Sequence, residues 1–214
     1  MCISVHQLCY VHADKEPLFQ NINLTVNTGQ RLALVGNNGT GKSTLLRIIE
    51  GNLKPSSGEV VCSSRPYYIP QHFGQFDNLT VAEALRVDDR IKALHAILEG
   101  DASAENFTCL NGDWDVEERC LSALASWNLE LLQLSQPMCS LSGGEKIRLL
   151  FCCLMIGNNA PDVFILDEPT NNLDIQSVDI ITAAIKSYSG TVLLISHDRY
   201  FVKEIKINRS VELF

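Results

Sequence analysis

The sequence lacks both a long apolar run and the cysteine spacing of a metal site. Its longest uninterrupted apolar stretch is eight residues, 149–156, which is far too short to cross a bilayer. None of the eight cysteines forms a C-x-x-C pair, so reduced, buried thiols are expected rather than disulfides or metal ligands. No basic stretch followed by an apolar segment opens the chain. We therefore expect a cytoplasmic protein that does not insert directly into a membrane.

Basic charge is also scarce. The net charge is -8 at pH 7, and all of it arises between Asp77 and Glu130, where four Lys and Arg accompany twelve Asp and Glu. A nucleic-acid surface needs clustered Lys and Arg to contact phosphates. The acidic segment therefore predicts a solvated surface module and no direct DNA binding.

The periodicity of apolar and polar residues along the chain predicts an α/β fold. Alternating apolar and polar residues over the first thirty positions indicate a small antiparallel sheet. Strand-helix alternation at both ends of the chain indicates a mainly parallel sheet covered by helices. From Val81 to about Leu134 the period is helical, with a loop expected at 100–115. We expect one domain, in which 1–71 and 142–214 form the core with a β subdomain and 72–141 form a helical subdomain carrying the acidic insert.

Residues 36–43, "GNNGTGKS", match the phosphate-loop pattern G-x-x-x-x-G-K-[ST] at every specified position. The pattern lies between the apolar strand "RLALV" and a helix, as a phosphate loop requires. Its glycines let backbone N-H groups turn inward around phosphate oxygens, and the helix N-terminus adds its dipole. Lys42 would neutralise the β- and γ-phosphates, and Ser43 would ligate Mg²⁺. The predicted nucleotide-binding residues here are Gly36, Asn37, Asn38, Gly39, Thr40, Gly41, Lys42, Ser43 and Thr44.

Two adjacent carboxylates, Asp167 and Glu168, follow the apolar strand "VFIL". Two like charges at the end of a buried strand are costly unless a cation or a reacting group lies beside them. Next to a phosphate loop, the doublet predicts that Asp167 holds the Mg²⁺ of a nucleotide, directly or through water. Glu168 is then placed to polarise the water that attacks the γ-phosphate.

A third motif, "LSGGE" at 141–145, places a serine and two glycines at the start of a helix. Such a segment is either an ordinary helix cap or a second anion site. A chain with one complete phosphate loop needs no second anion site for the same nucleotide. The second site would be used only if it served a nucleotide held by a different subunit.

In order along the chain stand the phosphate loop, Gln71 after "YYIP", "LSGGE", "VFILDEP", "NNLD" and His197. These motifs resemble those of an ATP-binding cassette (ABC) ATPase domain over essentially the whole chain. The resemblance implies the P-loop NTPase fold of an ABC nucleotide-binding domain and Mg²⁺-dependent ATP hydrolysis. It also implies that two cassettes sandwich two ATP molecules, with Ser142, Gly143 and Gly144 acting on the partner's ATP. Residues 171–174 would contact that partner.

The resemblance implies roles for three further side chains. Gln71 resembles the glutamine that meets Mg²⁺ and the attacking water, and His197 resembles the switch histidine that contacts the γ-phosphate. Tyr10 lies where the family places an aromatic ring against adenine, with Phe19 and His12 as the alternatives. The implied catalytic residues are Lys42, Gln71, Glu168 and His197, and the implied metal ligands are Ser43, Gln71 and Asp167.

Two phrases, "DEPTNNLD" and "SHDRYF", resemble the soluble ABC-F branch. Members of that branch usually carry two cassettes and act on the ribosome, in translation or antibiotic resistance. The alternative is an ATP-binding subunit of a membrane transporter, whose transmembrane partner would dock near Gln71. A related DNA-repair ATPase would need long coiled-coil heptads, which the sequence lacks. The single cassette leaves three possibilities open, namely a fragment, the first half of a tandem protein and a homodimer. The branch typically has a basic helical arm that contacts ribosomal RNA, but 71–142 is acidic, so we expect any such arm to be short or absent.

Overall fold

The computed structural model describes residues 2–12, 16–153, 156, 161–171 and 173–213. The chain divides into two compact units. Unit 1 consists of Met1–Gln71, Pro161–Asn172 and Thr182–Phe214. Unit 2 consists of His72–Ala160 and Leu173–Ile181.

Unit 1 contains two sheets. Along the chain its strands are β1 (Ile3–Val11), β2 (Pro17–Val26), β3 (Arg31–Val35), β4 (Ser57–Cys62), β5 (Tyr67–Ile69), β6 (Val163–Asp167), β7 (Thr191–Ile195) and β8 (Arg209–Glu212). The first sheet is antiparallel in the order β2-β1-β4. The second is parallel in the order β5-β6-β7-β3-β8. The predicted α/β fold class, with a small antiparallel sheet and a parallel core sheet, is confirmed.

The parallel sheet explains the near-continuous apolar runs of the sequence. Every residue of β6 and of β7 is buried, as expected for strands that are covered on both faces. Because neighbouring strands are parallel, their carboxyl ends meet at one edge of the sheet. The phosphate loop follows β3, Gln71 follows β5, the acidic doublet closes β6, and His197 follows β7.

Arg31, the first residue of β3, ties together the ends of two helices in unit 1. These helices are α7 (Ile175–Ser187), whose last part belongs to this unit, and α8 (Arg199–Glu204). The guanidinium donates to the backbone oxygens of Ile185 and Tyr188 at 3.0 and 2.8 Å and to that of Ile205 at 2.6 Å. The last carbonyls of a helix have no partner within the helix. Arg31 therefore adds hydrogen bonds to backbone oxygens at the ends of both helices.

Unit 2 is helical in its main part. Its helices are α2 (Val81–Ala84), α3 (Asp88–Leu98), α4 (Ala104–Leu110), α5 (Val116–Ser126) and α6 (Gly143–Cys152), in addition to the first part of α7. The Trp127 indole stacks on Phe151 of α6 with ring centroids 5.9 Å apart. The Trp127 carbonyl accepts from Nη1 of Arg148 at 3.1 Å. These contacts group α6 with the helical unit, whereas the boundary expected from the sequence put 142 onward with the core.

Two local expectations differ from the structure. The segment 100–115, predicted as a loop, contains α4, which buries only Leu110 and so shows little periodicity. Ser103 caps this helix by accepting from the Asn106 N-H at 3.4 Å. The helix predicted from 142–143 to Gly157 runs only to Cys152, and 157 itself lies outside the described residues. Within the described part of the chain, no helix is both long enough and apolar enough to cross a membrane.

Candidate functional site

A cleft of about 560 Å³ lies at the carboxyl edge of the parallel sheet, lined entirely by residues of unit 1. This is the edge at which open α/β sheets bind ligands. The loops after β3, β5, β6 and β7 all reach it. The predicted site residues that line it are Asn38, Gly39, Gly41, Lys42, Ser43, Thr44, Gln71, Asp167, Glu168 and His197.

The phosphate loop depends on glycine at defined positions. Gly36 and Gly41 have φ of 144° and 89°, which side chains adopt rarely. A Cβ at Gly36 would lie 2.5 Å from the backbone oxygen of Leu213, and one at Gly41 would lie 2.8 Å from atoms of Leu18 and Phe19. Gly41 also begins α1 (Lys42–Glu50) without a side-chain cap. The backbone N-H groups in the first turn of α1 therefore receive no side-chain cap from Gly41 and remain available to hydrogen-bond an anion.

Lys42 is held by its own loop. Its Nζ donates to the backbone oxygens of Gly36 and Asn37 at 2.9 and 2.8 Å, and the residue is only 8% exposed. The Thr40 hydroxyl donates to the same Asn37 oxygen at 3.0 Å. Gly36, Asn37 and Thr40 are thus the frame of the loop, while Lys42 provides a positive charge at the cleft.

Asp167 closes β6 with both carboxylate oxygens hydrogen-bonded. Oδ1 accepts from the Ser43 hydroxyl and Oδ2 accepts from the Tyr68 hydroxyl, each at 3.0 Å. The residue is 3% exposed. Burial and the negative charge of Asp167 raise the pKa of Tyr68, so its hydroxyl remains a donor at neutral pH. Sequence reasoning assigned Ser43 and Asp167 to the same Mg²⁺ but missed Tyr68, for which the only signal was its place in the strand before Gln71.

The oxygen pair of Ser43 and Asp167 fits Mg²⁺ bound together with a nucleotide. Among the described residues, no group of three or more His, Cys, Asp or Glu could hold a metal by itself. Mg²⁺ prefers oxygen ligands and is commonly bound by one or two protein groups plus phosphates and water. The two oxygens lie beside the phosphate loop, and Gln71 lines the same cleft. The donor chemistry therefore suits a nucleotide-borne Mg²⁺ rather than a site built by protein alone.

Glu168 is the strained member of the site. Its φ is 51°, a conformation that is uncommon outside glycine and is often found at functional sites. Its N-H donates to the Ile195 oxygen at 2.9 Å, which anchors this turn to the end of β7. Its carboxylate lies 3.2 Å from both the backbone N and the Nε2 of His197. The structure thus brings together Glu168 and His197, which stand 29 positions apart in the chain.

The adenine-side candidates separate in the structure. The Tyr10 ring lies 5.5 Å from the His12 ring and 6.1 Å from the Phe19 ring, measured between centroids. Of these three described rings, that of His12 lines the cleft, as does the side chain of Leu18. Stacking of adenine on Tyr10 stays a prediction, with His12 closer to the open space.

The LSGGE segment lies in unit 2. Ser142 caps α6 because its hydroxyl accepts from the Glu145 N-H at 3.4 Å. The N-H and the hydroxyl of Ser142 donate in turn to Glu145 Oε2 at 2.8 and 2.6 Å. These bonds lower the pKa of Glu145. A Cβ at Gly143 would meet no atom within 4 Å, and at Gly144 only the Ser177 hydroxyl at 3.9 Å. The fold of this unit therefore leaves open space around both glycines.

The segment "NNLD" divides between the two units. Asn171 lines the cleft of unit 1, and its backbone N-H donates to the backbone oxygen of Glu168 at 3.1 Å. Asn172 lies outside the described residues. Asp174, in unit 2, accepts from the N-H and the hydroxyl of Ser177 at 2.7 and 3.3 Å, and these bonds lower its pKa. Asp174 is thus a helix cap of α7.

The profile of the protein family described as ABC transporter matches residues 19–171, the part that contains the phosphate loop, Gln71, LSGGE and the acidic doublet. The chain belongs to this ABC family. It is 36% identical to ABC transporter F family member 2 of Arabidopsis thaliana, over 99% of this chain and 28% of that protein. It is 30% identical to the ATP-binding protein Uup of Haemophilus influenzae, over 86% of this chain and 26% of that protein. The chain therefore spans about a quarter of the length of these curated relatives.

Solved structures confirm the ABC fold. A structure described as the ATP-binding subunit of an ABC transporter matches with a TM-score of 0.72 at 24% identity, over 100% of this chain and 86% of that one. A nucleotide-free ATP-binding cassette from an ABC transporter matches with a TM-score of 0.68 at 20% identity, over 100% of this chain and 87% of that one. The predicted membership in the ABC ATPases, with similarity to the F branch, is confirmed. Membership supports ATP binding and, for the family in general, ATP hydrolysis.

The need for glycine in the phosphate loop of this ABC domain can be tested by substitution. We predict that Gly36→Ala lowers the free energy of unfolding more than Gly39→Ala does, because only the first places a methyl against a backbone oxygen. Gly39 has φ of 86° but open space around it, so its substitution carries only conformational strain of about 1–2 kcal/mol. Urea unfolding measures the free energy of unfolding of each variant, and titration with a fluorescent ATP analogue measures its affinity for the nucleotide. Equal losses of stability in the two variants would contradict the prediction.

Proposed function

We propose that this ABC domain binds ATP with Mg²⁺ in the cleft of unit 1 and hydrolyses it. The observation that carries the proposal is the convergence of one group and two pairs of side chains at one sheet edge. Lys42 lies with the phosphate loop, Ser43 pairs with Asp167, and Glu168 pairs with His197. These are a phosphate-binding group, a metal-binding pair and a water-activating pair, the parts that phosphoryl transfer to water requires.

Each side chain has a defined task. The N-H groups of the loop and the Lys42 ammonium hold the β- and γ-phosphates, which prevents the charged tail from moving during the reaction. Mg²⁺ at Ser43, Asp167 and Gln71 would neutralise charge on the phosphate oxygens. The Glu168 carboxylate accepts a hydrogen bond from the attacking water and orients it in line with the γ-phosphate. His197 holds Glu168 in place and contacts the γ-phosphate.

A second cassette completes the site in this proposal, either as a homodimer or as the missing half of a tandem protein. Ser142, Gly143 and Gly144 would bind the γ-phosphate of the partner's ATP. Support comes from the open space around the two glycines, which allows a ligand to approach the backbone closely. The start of α6 also offers a helix N-terminus for a phosphate group.

For the biological role we propose a cytoplasmic ABC-F function, linked to the ribosome in translation or antibiotic resistance. The support is the likeness to a plant F family member over nearly the whole chain. The alternative, an ATP-binding subunit docked on a transmembrane transporter protein, rests on structural neighbours that share the fold at low identity. The F-branch phrases "DEPTNNLD" and "SHDRYF" favour the first.

Glu168→Gln tests hydrolysis. We expect this variant to bind ATP as the parent does, because the amide oxygen still accepts from the His197 N-H and no charge on the phosphate loop changes. Turnover should fall by about 10²–10⁴-fold, the usual contribution of a general base. Phosphate release under saturating ATP and Mg²⁺ measures turnover, and Glu212→Gln, at an exposed position of β8, is the matched control. Turnover at the parent rate would remove Glu168 from the mechanism.

Ser142→Arg tests action across chains. We expect loss of hydrolysis with retained ATP binding, because the new side chain blocks contact with a nucleotide held by the partner. Ser122→Arg, at an exposed position of α5 in the same unit, should leave both unchanged. Mixing Ser142→Arg with Lys42→Ala chains should restore part of the activity, since one composite site in the mixed dimer is then intact. No recovery on mixing, with both variants folded, would refute the in-trans assignment.

Co-sedimentation with purified ribosomes tests the proposed ABC-F role at the ribosome. We expect Glu168→Gln protein to pellet with ribosomes only when ATP and Mg²⁺ are present, because the variant should accumulate in its ATP-bound state. A Glu168→Gln, Lys42→Ala double variant, which lacks the phosphate-binding ammonium, is the control. Failure to pellet, together with ATP-dependent recovery of an integral membrane protein from detergent-solubilised membranes, would favour the transporter alternative.

A further inference from the structure

Tyr68 is a buried polar side chain that the proposed reaction does not use. It lies at the middle of β5 with 6% of its surface exposed, and its hydroxyl is 3.0 Å from Asp167 Oδ2. The other carboxylate oxygen accepts from Ser43 at the same distance. We propose that Tyr68 is a positioning residue for Mg²⁺, holding the Asp167 carboxylate in the orientation that metal binding uses. The inference rests on the proposed Mg²⁺-ATP site.

The carboxylate needs such a partner because its terminal torsion is broad. The χ2 torsion of an aspartate side chain has a broad distribution, so the carboxylate takes many orientations unless both of its oxygens are held. Ser43 holds one oxygen from the first turn of α1, and Tyr68 holds the other from β5. The Ser43 oxygen is itself an expected metal ligand, so its hydrogen bond changes when the cation arrives. The Tyr68 hydroxyl is not an expected metal ligand, so its bond to Oδ2 can persist when the cation binds.

The surroundings of Tyr68 suit this task. Its ring belongs to the core cluster of unit 1, packed among residues of several strands and of α1, so the hydroxyl has little freedom to leave Asp167. Loss of an outer group that hydrogen-bonds a metal ligand typically costs about ten- to a hundredfold in metal affinity or activity. Phenylalanine would fill the same space in the core but donate nothing.

The neighbouring Tyr67 provides a matched comparison. It is buried on the same strand, and its ring packs on Phe164 with centroids 5.5 Å apart. Successive residues of a strand point to opposite faces of the sheet. Tyr67→Phe therefore removes a hydroxyl from a buried tyrosine on the face of the sheet opposite to Tyr68. A general cost of losing a buried hydroxyl should appear in both variants.

The test is Mn²⁺ binding, measured by electron paramagnetic resonance on the 214-residue chain carrying Glu168→Gln, with ATP present. We expect Tyr68→Phe to weaken Mn²⁺ binding by about ten- to a hundredfold, while ATP affinity without metal is unchanged. Tyr67→Phe should leave Mn²⁺ affinity at the parent value. Equal Mn²⁺ affinity in the Tyr68→Phe variant and the parent would overturn the inference. Failure of the parent itself to bind Mn²⁺ with ATP would instead count against the proposed function.

A second pair of variants covers the case in which Tyr68→Phe does not fold. Replacing Tyr68 by para-aminophenylalanine fills the position with a ring that still donates, and para-methylphenylalanine fills it with one that does not. We expect the amino variant to retain parent-like Mn²⁺ affinity and the methyl variant to lose it. Equal affinities in these two variants would show that Tyr68 acts only by filling space.

Discussion

The site depends on one constraint, the parallel pairing of β5, β6, β7 and β3. Parallel strands deliver their carboxyl ends to one edge, and four strand ends here carry the phosphate loop, Gln71, the acidic doublet and His197. The buried strands β6 and β7 fix this edge because nearly all of their side chains are apolar and enclosed. A change of register by one residue would turn those side chains to the wrong faces. The geometry of the cleft is therefore set by the core of the sheet.

The acidic doublet shows how two adjacent carboxylates coexist in a buried place. Asp167 belongs to the strand and faces Ser43 and Tyr68, whereas Glu168 leaves the strand with φ of 51° and faces His197. The unusual backbone of Glu168 turns the second carboxylate away from the partners of the first. Each charge thus has donors of its own, which offsets the cost of burial and of like charges side by side. The strain lies where the proposed chemistry takes place, as is common at functional sites.

Unit 2 combines an acidic surface with internal charge pairing. Asp113, only 8% exposed, pairs with both Arg90 and Arg119. Two of the four basic residues between Asp77 and Glu130 are thereby engaged with a single buried carboxylate. The remaining acidic excess makes contact with RNA phosphates electrostatically unfavourable. An ABC-F role therefore requires that ribosome contacts come from other surfaces or from the rest of a longer protein, of which curated relatives have about four times this length.

The sequence by itself determined the fold class, the family and the phosphate loop, because these follow from local patterns: apolar runs, turn glycines and motif order. It also predicted that Ser43, Asp167 and Glu168 act together, since their chemistry demands a shared cation and substrate. Only the tertiary structure decided that Tyr68 holds Asp167, that Glu168 pairs with His197, and that α6 groups with the helical unit. Those relations depend on which strand lies beside which and on a backbone turn of positive φ. Apart from the place of Tyr68 in the strand before Gln71, such long-range packing leaves no local signal in the chain.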